Sequence, residues 1–540
     1  MTARSSAQYD ADPPSPGVTG TAAFPEGKVV VPSLFSILFE HETDRKSAPA
    51  PPSYFVDLNI DQIVDGIVAG RDEYDLRSFF NCTLRRGGAI RYRNEVFRDY
   101  NKPAIHKPLA AFAQTMRTMR QYLSQAEKLH ERFQKEAWIV DAIDVYCGGC
   151  WELAQALRAG EPHSRGLTTF LSNLEEYIGS IRFSEMKNAA AGLKRDLTTL
   201  RYKVIVDGDS FTVQRYDGEI DYSADVLETF ERFKQGSVKD HSGKFDDWPD
   251  MNHVEAKILE FVSLLYPEIF ARLDAFCKLN TDFRDIMVQA FDREIQFYAG
   301  YSDYIGILKG ASAPFCEAEM AEAEKNVQSR DGFDLALAVK LAREGKTFVR
   351  NDFELNGEER ILVVSGPNQG GKTTFARMFG QMHYLACLGC PVPGRSARIL
   401  LFDALFTHFE REETIETLSG KLQDDLNRVH DILSEATSRS IVILNEIFTS
   451  TSLEDALFLG KQIIARIVEM GMLAVWVTFV DELSVLGPET VSMVSDVNPE
   501  GPASRTFRIL RKPADGKSYA KSLAQKHGLT YERIIERVGT

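Results

Sequence analysis

The chain has 540 residues, which is too long for a single hydrophobic core, so we expect three or more domains. Its hydrophobic content of 44% is ordinary for a soluble globular protein, and no apolar run approaches the ~20 residues that a membrane span requires. The net charge of −15 means that a uniformly acidic surface would repel nucleic acid, so any contact with nucleic acid must rely on local basic patches. Seven cysteines do not form a disulfide framework, and the N-terminus has no apolar signal segment, so we expect a cytoplasmic protein.

The N-terminal quarter of the chain combines a tail of low complexity with helical patterns. Residues 1–33 are rich in Ser, Pro, Gly and Ala, which predicts a disordered tail. Within residues 34–160, the segments 57–68 and 107–134 carry apolar residues at three- and four-residue spacing. This spacing predicts amphipathic helices and therefore a helical core domain.

A second helical region, with a small β insertion, is predicted over residues 161–313. One long helix is expected over Leu167–Leu200 and another from His253 to about Ile307. Between them, Tyr202–Tyr216 alternates in polarity around Asp207-Gly208-Asp209, which indicates a β-hairpin.

Basic residues in the helical regions are candidates for nucleic-acid contact, although such groups are more often solvated helix faces. They form two groups, Arg85, Arg86, Arg91, Arg93 and Arg98, and then Arg182, Lys187, Lys194, Arg195, Arg201 and Lys203.

The pattern changes near Pro314, where short apolar strands begin to alternate with helices. This alternation continues to Asp496 and predicts an α/β domain over residues 314–540. The final segment, Tyr519–Val538, is predicted to be helical.

A glycine-rich motif lies near the start of this α/β domain. The apolar run Ile361–Val364 predicts a buried strand, and Gly366–Thr373 then fits the pattern G-x-x-x-x-G-K-[ST]. Glycine lets backbone N–H groups approach phosphate oxygens, and the following helix directs its positive end at the anion. Lys372 is placed to reach the β- and γ-phosphates, and the Thr373 hydroxyl to ligate Mg²⁺. The motif therefore predicts a nucleoside triphosphate site, whereas the alternative is a glycine-rich turn that matches by chance. The residues expected to contact the nucleotide here are Gly366, Pro367, Asn368, Gln369, Gly370, Gly371, Lys372, Thr373 and Thr374.

A second strand, Ser440–Ile447, places an amide and a carboxylate at its end. Asn445 stands where most enzymes with this loop have an Asp that holds Mg²⁺ through water, so it keeps an acceptor oxygen without the charge. Glu446 is a candidate general base for the attacking water, and the alternative is a surface carboxylate at a strand end. We therefore expect Lys372 and Glu446 to be catalytic, and Thr373, Asn445 and Glu446 to hold the metal.

The segment Leu418–Gln423 (LSGKLQ) precedes a predicted helix and resembles the L-S-G-x-Q signature of ABC-type ATPases. In those proteins the serine and the helix N-terminus contact the γ-phosphate of ATP bound to the other subunit. The resemblance places Ser419 and Gly420 in the nucleotide site and implies a homodimer. The alternative for these two residues is an ordinary helix cap.

The glycine-rich loop, the segment Leu418–Gln423 and the strand Ser440–Ile447 follow one another in an order that resembles the ATPase of the MutS family of DNA mismatch repair proteins. Phe348, Val349 and Asn351 lie in a segment similar to the one that sits against the adenine in that family. The resemblance implies a C-terminal ABC-type P-loop ATPase domain joined to a mainly helical core and lever region. It also implies ATP and Mg²⁺ as cofactors, a homodimer formed through the ATPase domains, and a clamp for duplex or branched DNA. Other repair proteins are possible partners, and no membrane is involved.

The sequence also departs from the family. Asn445 replaces an Asp, Phe479 replaces a histidine that senses the γ-phosphate, and Phe448-Thr449-Ser450 replaces Gly-Arg-Gly. These changes favour slow hydrolysis, since each ~1.4 kcal/mol added to the activation barrier slows the reaction tenfold. They leave nucleotide binding intact. The N-terminal mismatch-recognition domain is expected to be missing, so the chain should not read mispairs alone. Two hypotheses remain: a DNA-dependent ATPase, and a nucleotide-gated scaffold with a degenerate, slow ATPase. An ABC transporter subunit is a more distant alternative.

Overall fold

The computed structural model describes residues 35–45, 50–208, 210–218, 251–409, 420–497 and 505–514. The predicted tail, the predicted helix Tyr519–Val538 and the candidate site residue Ser419 lie outside these ranges. Within them, no helix is both long enough and apolar enough to cross a lipid bilayer.

The chain up to residue 313 is mainly helical, as the apolar spacing predicts. Its longest helices, α5 and α6, pack against each other, and α6 also packs against α7 and α8. The helices are α1 Tyr54–Asp57, α2 Ile60–Val68, α3 Arg77–Phe80, α4 Gly87–Tyr100, α5 Pro103–Lys128, α6 Arg132–Gly160, α7 Arg165–Ile178, α8 Ile181–Thr199, α9 His253–Leu265, α10 Pro267–Leu279 and α11 Ile286–Gly306.

Two of the predicted long helices are interrupted, so the predicted lengths are wrong. The segment Leu167–Leu200 forms α7 and α8, because the Ser180 side chain accepts a hydrogen bond from the third residue of α8 and so begins a new helix. The segment from His253 to Ile307 forms three helices. Pro267 has no N–H to continue a helix and starts α10, while the Asp285 carboxylate caps α11.

Between α8 and α9, two antiparallel strands form a separate sheet. Strand β1 (Tyr202–Asp207) pairs with β2 (Ser210–Arg215), and Gly208 in the turn has a φ of 63°. Most side chains of β1 are exposed, and Val206 is 72% exposed. The strand pair therefore presents much of its apolar surface to solvent.

The C-terminal part contains a six-stranded sheet in the order β10-β11-β12-β7-β13-β14, in which β14 alone is antiparallel to its neighbour. Strands β7, β11 and β12 are buried at every position, as expected for parallel strands covered on both faces. The bounds are β7 Ile361–Ser365, β10 Leu405–Phe409, β11 Ile441–Asn445, β12 Leu473–Val477, β13 Thr490–Val497 and β14 Arg505–Arg511. The helices associated with these strands are α13 Lys372–Leu388, α14 Lys421–Glu435 and α15 Leu453–Met470.

A second sheet, of four strands in the order β4-β9-β5-β6, and a short strand pair β3–β8 complete this part. The bounds are β3 Phe315–Cys316, β4 Glu319–Ala321, β5 Val327–Gly332, β6 Asn351–Leu355, β8 Val392–Pro393 and β9 Ser396–Leu400, with α12 Leu335–Arg343 between β5 and β6. The mixed α/β character predicted after Pro314 is thus confirmed. Because β7, β11 and β12 run parallel, their carboxyl ends meet at one edge of the six-stranded sheet, which is where the predicted site residues follow them.

Candidate nucleotide site

The glycine-rich loop connects β7 to α13 and needs glycine at several positions. Gly366 and Gly371 have φ values of 113° and 91°, which side chains rarely allow. A Cβ atom on Gly370 would lie 2.9 Å from the carbonyl oxygen of Pro367. The Ser495 hydroxyl on β13 donates to the Gly370 carbonyl oxygen at 2.8 Å, so the neighbouring strand holds the loop in place.

Lys372, the first residue of α13, is 5% exposed and directs its ammonium group back into the loop. Its Nζ donates to the carbonyl oxygen of Gly366 at 2.9 Å and to Asn368 Oδ1 at 3.3 Å. The same Nζ lies 3.4 Å from Glu446 Oε1, across from the loop. A positive charge is therefore held by oxygen atoms of the loop, next to the carboxylate that follows β11.

Thr373 and Asn445 meet at the carboxyl edge of the sheet. The Thr373 hydroxyl donates to Asn445 Oδ1 at 3.0 Å, and Asn445 is 7% exposed. Hydroxyl, amide and carboxylate oxygens are ligands that Mg²⁺ accepts, usually together with water and phosphate oxygens. The oxygens of Thr373, Asn445 and Glu446 thus fit a magnesium ion in chemical type.

Glu446 occupies an unusual backbone conformation. Its φ is 55°, and that of Phe448 is 62°, so two side-chain-bearing residues of one turn are left-handed. The Glu446 amide donates to the Val477 carbonyl oxygen of β12 at 2.9 Å. About a third of the Glu446 side chain is exposed, which leaves the carboxylate accessible to water.

Two further residues, His408 and Asp425, support this turn, and no motif in the sequence pointed to them. Asp425 on α14 accepts a hydrogen bond from the Phe448 amide at 3.2 Å, and its other oxygen lies 2.9 Å from His408 Nε2. Burial would raise the pKa of Asp425, but the hydrogen bonds from His408 and Phe448 outweigh it and the pKa is lowered. Asp425 is therefore ionised at neutral pH.

Two of the residues predicted to sit against the adenine, Asn351 and Phe348, contact other parts of the domain. The Asn351 side chain donates to the Phe507 carbonyl oxygen at 3.2 Å and accepts from the Ile509 amide at 2.7 Å, which joins β6 to β14. Phe348 packs against Phe333, with ring centroids 4.7 Å apart, and Val349 is partly exposed. Their role in base binding stays a prediction.

Two other predicted site residues, Gly420 and Thr374, and the family departure Phe479 lie within the described residues. Gly420 precedes α14 and is exposed, and Thr374 is partly buried in the first turn of α13. Phe479, which follows β12, is 47% exposed at the same edge of the sheet. An apolar ring therefore stands at this edge, where it can donate no hydrogen bond to a phosphate.

The first basic group offers few charges for phosphate contact. Arg93 is fully buried and donates to the carbonyl oxygens of Leu38 and Leu388, and burial lowers its pKa. Three other members pair with carboxylates: Arg86 with Asp44, Arg91 with Glu322 and Arg98 with Glu317. In the second group, Lys194 pairs with Asp141 and Asp144.

A parallel sheet with a glycine-rich loop, an inward-pointing lysine and converging oxygen ligands defines a mixed α/β domain of ATPase type. Comparison with known families identifies it further: residues 362–537 match MutS domain V. This part of the chain is therefore similar to domain V of MutS proteins.

The relatives are similar to only part of this chain. "Endonuclease MutS2" of Gemmatimonas aurantiaca is 27% identical over 261 residues, 47% of this chain and 30% of the relative. "DNA mismatch repair protein MutS" of Lactococcus lactis is 25% identical over 286 residues, 48% of this chain and 34% of the relative. The protein of the same name from Aquifex pyrophilus is 32% identical over 197 residues, 35% of this chain and 23% of the relative. The matched segments thus span between 23% and 34% of these relatives' length.

Proposed function

We propose that the chain is an ATP-dependent DNA-binding protein of the mismatch repair type, in which ATP bound at a dimer interface controls the grip on DNA. The observation that carries the proposal is the convergence of Lys372, Thr373, Asn445 and Glu446 beside the glycine-rich loop. The names of the relatives, which include both a mismatch repair protein and an endonuclease, support a DNA substrate. We further propose the ABC type of P-loop domain, in agreement with the family match.

Each residue of the site has a distinct task in this proposal. The loop amides and Lys372 hold the β- and γ-phosphates, since an ammonium in a ring of N–H groups attracts the triphosphate charge. Thr373 and Asn445 would hold Mg²⁺, which neutralises phosphate charge when bound. Glu446 accepts the proton of the attacking water. Ser419 and Gly420 contact the γ-phosphate held by a second copy of the chain.

The helix that follows the loop offers a route from the nucleotide to the helical region. On α13, Arg377 donates to the Asp57 carbonyl oxygen at 2.9 Å, and Gln381 donates to that of Leu58 at 2.8 Å. One turn further on, the Tyr384 hydroxyl donates to a backbone carbonyl of α3 at 2.7 Å. A shift of α13 on nucleotide binding would therefore be transmitted directly to α1 and α3 of the helical region.

A second function, a nucleotide-gated scaffold with little turnover, is favoured by two observations. Asn445 brings no charge to the metal, and the exposed Phe479 ring has no polar group for the γ-phosphate. In this alternative, ATP binding changes the shape of a dimer and a protein partner reads the change. The nucleotide site is the same in both proposals.

Steady-state phosphate release, with and without duplex or branched DNA, separates the two functions. Stimulation by DNA supports the repair ATPase, and tight ATP binding with negligible turnover supports the scaffold. Lys372→Ala should abolish nucleotide binding, whereas Glu446→Ala should retain ATP unhydrolysed. Retained turnover in Glu446→Ala would reject Glu446 as the base. DNA affinity should fall steeply with salt, and G·T and homoduplex DNA should bind equally if the chain does not read mispairs.

A further inference from the structure

We propose that Asp425 is a positioning residue that holds the turn carrying Glu446, and that His408 in turn orients Asp425. The inference rests on the proposed ATPase function, because it assigns Asp425 a task in the reaction of the same site. Asp425 acts through the backbone of Phe448 and not by contact with the nucleotide loop.

The turn needs anchors because its backbone is strained. Glu446 and Phe448 both have positive φ values, and a left-handed residue with a side chain persists only where its surroundings impose it. The structure provides two hydrogen bonds that do so. The Glu446 amide is held by Val477 of β12, and the Phe448 amide is held by the Asp425 carboxylate. Without the second anchor the turn could relax, and the Glu446 carboxylate would leave its place 3.4 Å from Lys372.

Asp425 suits the anchoring role because it is itself fixed. It is 6% exposed, and its second oxygen is used by His408, which is 4% exposed at the end of β10. Its lowered pKa keeps the carboxylate charged, so both oxygens remain acceptors. A buried carboxylate with both oxygens engaged has little freedom to move.

The anchor also connects two parts of the proposed ATPase. Asp425 lies in the second turn of α14, the helix that begins directly after Gly420. A displacement of the start of α14 by a second subunit would therefore move Asp425, and with it the turn of Glu446. In this way the engagement of the signature segment by a second subunit would be transmitted to the position of the base.

The test combines turnover with a double-mutant cycle. Asp425→Ala should lower kcat by roughly ten- to a hundredfold, with ATP affinity within about twofold of wild type, because the phosphate loop is untouched. Asp425→Asn keeps an oxygen for the Phe448 amide and should recover most of the rate. In a Glu446→Gln background, Asp425→Ala should cause no further loss, since there is no base left to position. Asp431→Ala, at an exposed position of the same helix, is the matched control.

A readout independent of activity separates the inference from the proposed function. Hydrogen exchange at residues 446–448 should speed up in Asp425→Ala and in His408→Ala, and should stay near wild type in Asp425→Asn. Unchanged exchange in Asp425→Ala, or additive losses in the Glu446→Gln background, would overturn the positioning role. An inactive wild type with the expected exchange pattern would instead overturn the ATPase proposal. If Asp425→Ala fails to fold, His408→Ala and Asp425→Asn provide the same comparison.

Discussion

The replacement Asn445→Asp tests the metal site most sharply. Asn445 Oδ1 already lies 3.0 Å from the Thr373 hydroxyl, so the oxygen is in place and the substitution adds mainly charge. Aspartate has nearly the same shape as asparagine, so the packing of this 7% exposed residue should be preserved. The variant therefore asks whether this oxygen faces Mg²⁺.

The expected size follows from two opposing electrostatic effects. Two unit charges 4 Å apart attract by about 4 kcal/mol at an effective dielectric constant of 20, and a carboxylate facing the doubly charged Mg²⁺ at that distance gains about twice as much. Burial of the new charge and repulsion from Glu446 offset much of this gain. A net gain of about 1.4 kcal/mol would tighten Mg·ATP binding about tenfold. Without Mg²⁺, the same charge is uncompensated, so the melting temperature should fall below that of wild type.

The assay is a Mg²⁺ titration of ATP binding and of phosphate release. Asn445→Asp should lower the half-saturating Mg²⁺ concentration, and the control Asn445→Leu, which lacks the oxygen, should raise it. A Mg²⁺ dependence that is the same in wild type and in both variants would show that residue 445 does not serve the metal.

Three further predictions concern the loop, the core and the link to the helical region. Gly370→Ala places a methyl group against the Pro367 carbonyl oxygen and strains the loop. If the strain costs ~1.4 kcal/mol or more, the affinity for ATP should fall about tenfold or further, which an ATP titration measures. Burial lowers the pKa of His383 to about 4, so the unfolded chain binds a proton that the folded chain does not. The free energy of unfolding should therefore fall by up to about 3 kcal/mol as the pH drops from 6.5 to 4, and His383→Gln should flatten this dependence in urea titrations. Gln381→Leu removes the hydrogen bond to Leu58, together with those to Asp334 and the Leu335 amide, and should reduce stimulation by DNA more than basal phosphate release. An equal loss of both rates would contradict the proposed link.

Local patterns in the sequence predicted the parts of the site that lie next to each other in the chain. The apolar run Ile361–Val364 falls within β7, and the predicted strand Ser440–Ile447 contains β11, which ends at Asn445. A buried strand and a glycine-rich turn depend on the residue types present, so a single stretch is sufficient to indicate them.

The rest depends on residues that are distant in the chain. His408 and Asp425 meet because of the packing of α14 beside β10, which no local pattern encodes. Arg98 pairs with Glu317, 219 positions away, a contact that no local pattern indicates. The Asn351 side chain joins β14 through Ile509, a contact that only the order of strands creates.

Calorimetric titration of Mg·ATP into the wild-type chain and into Lys372→Ala tests the central claim most directly. The wild type should bind one nucleotide per chain with an affinity that disappears when EDTA removes Mg²⁺, and Lys372→Ala should bind none. Equal binding by both proteins, or no binding by a folded wild type, would contradict the assignment of a nucleotide site to this loop.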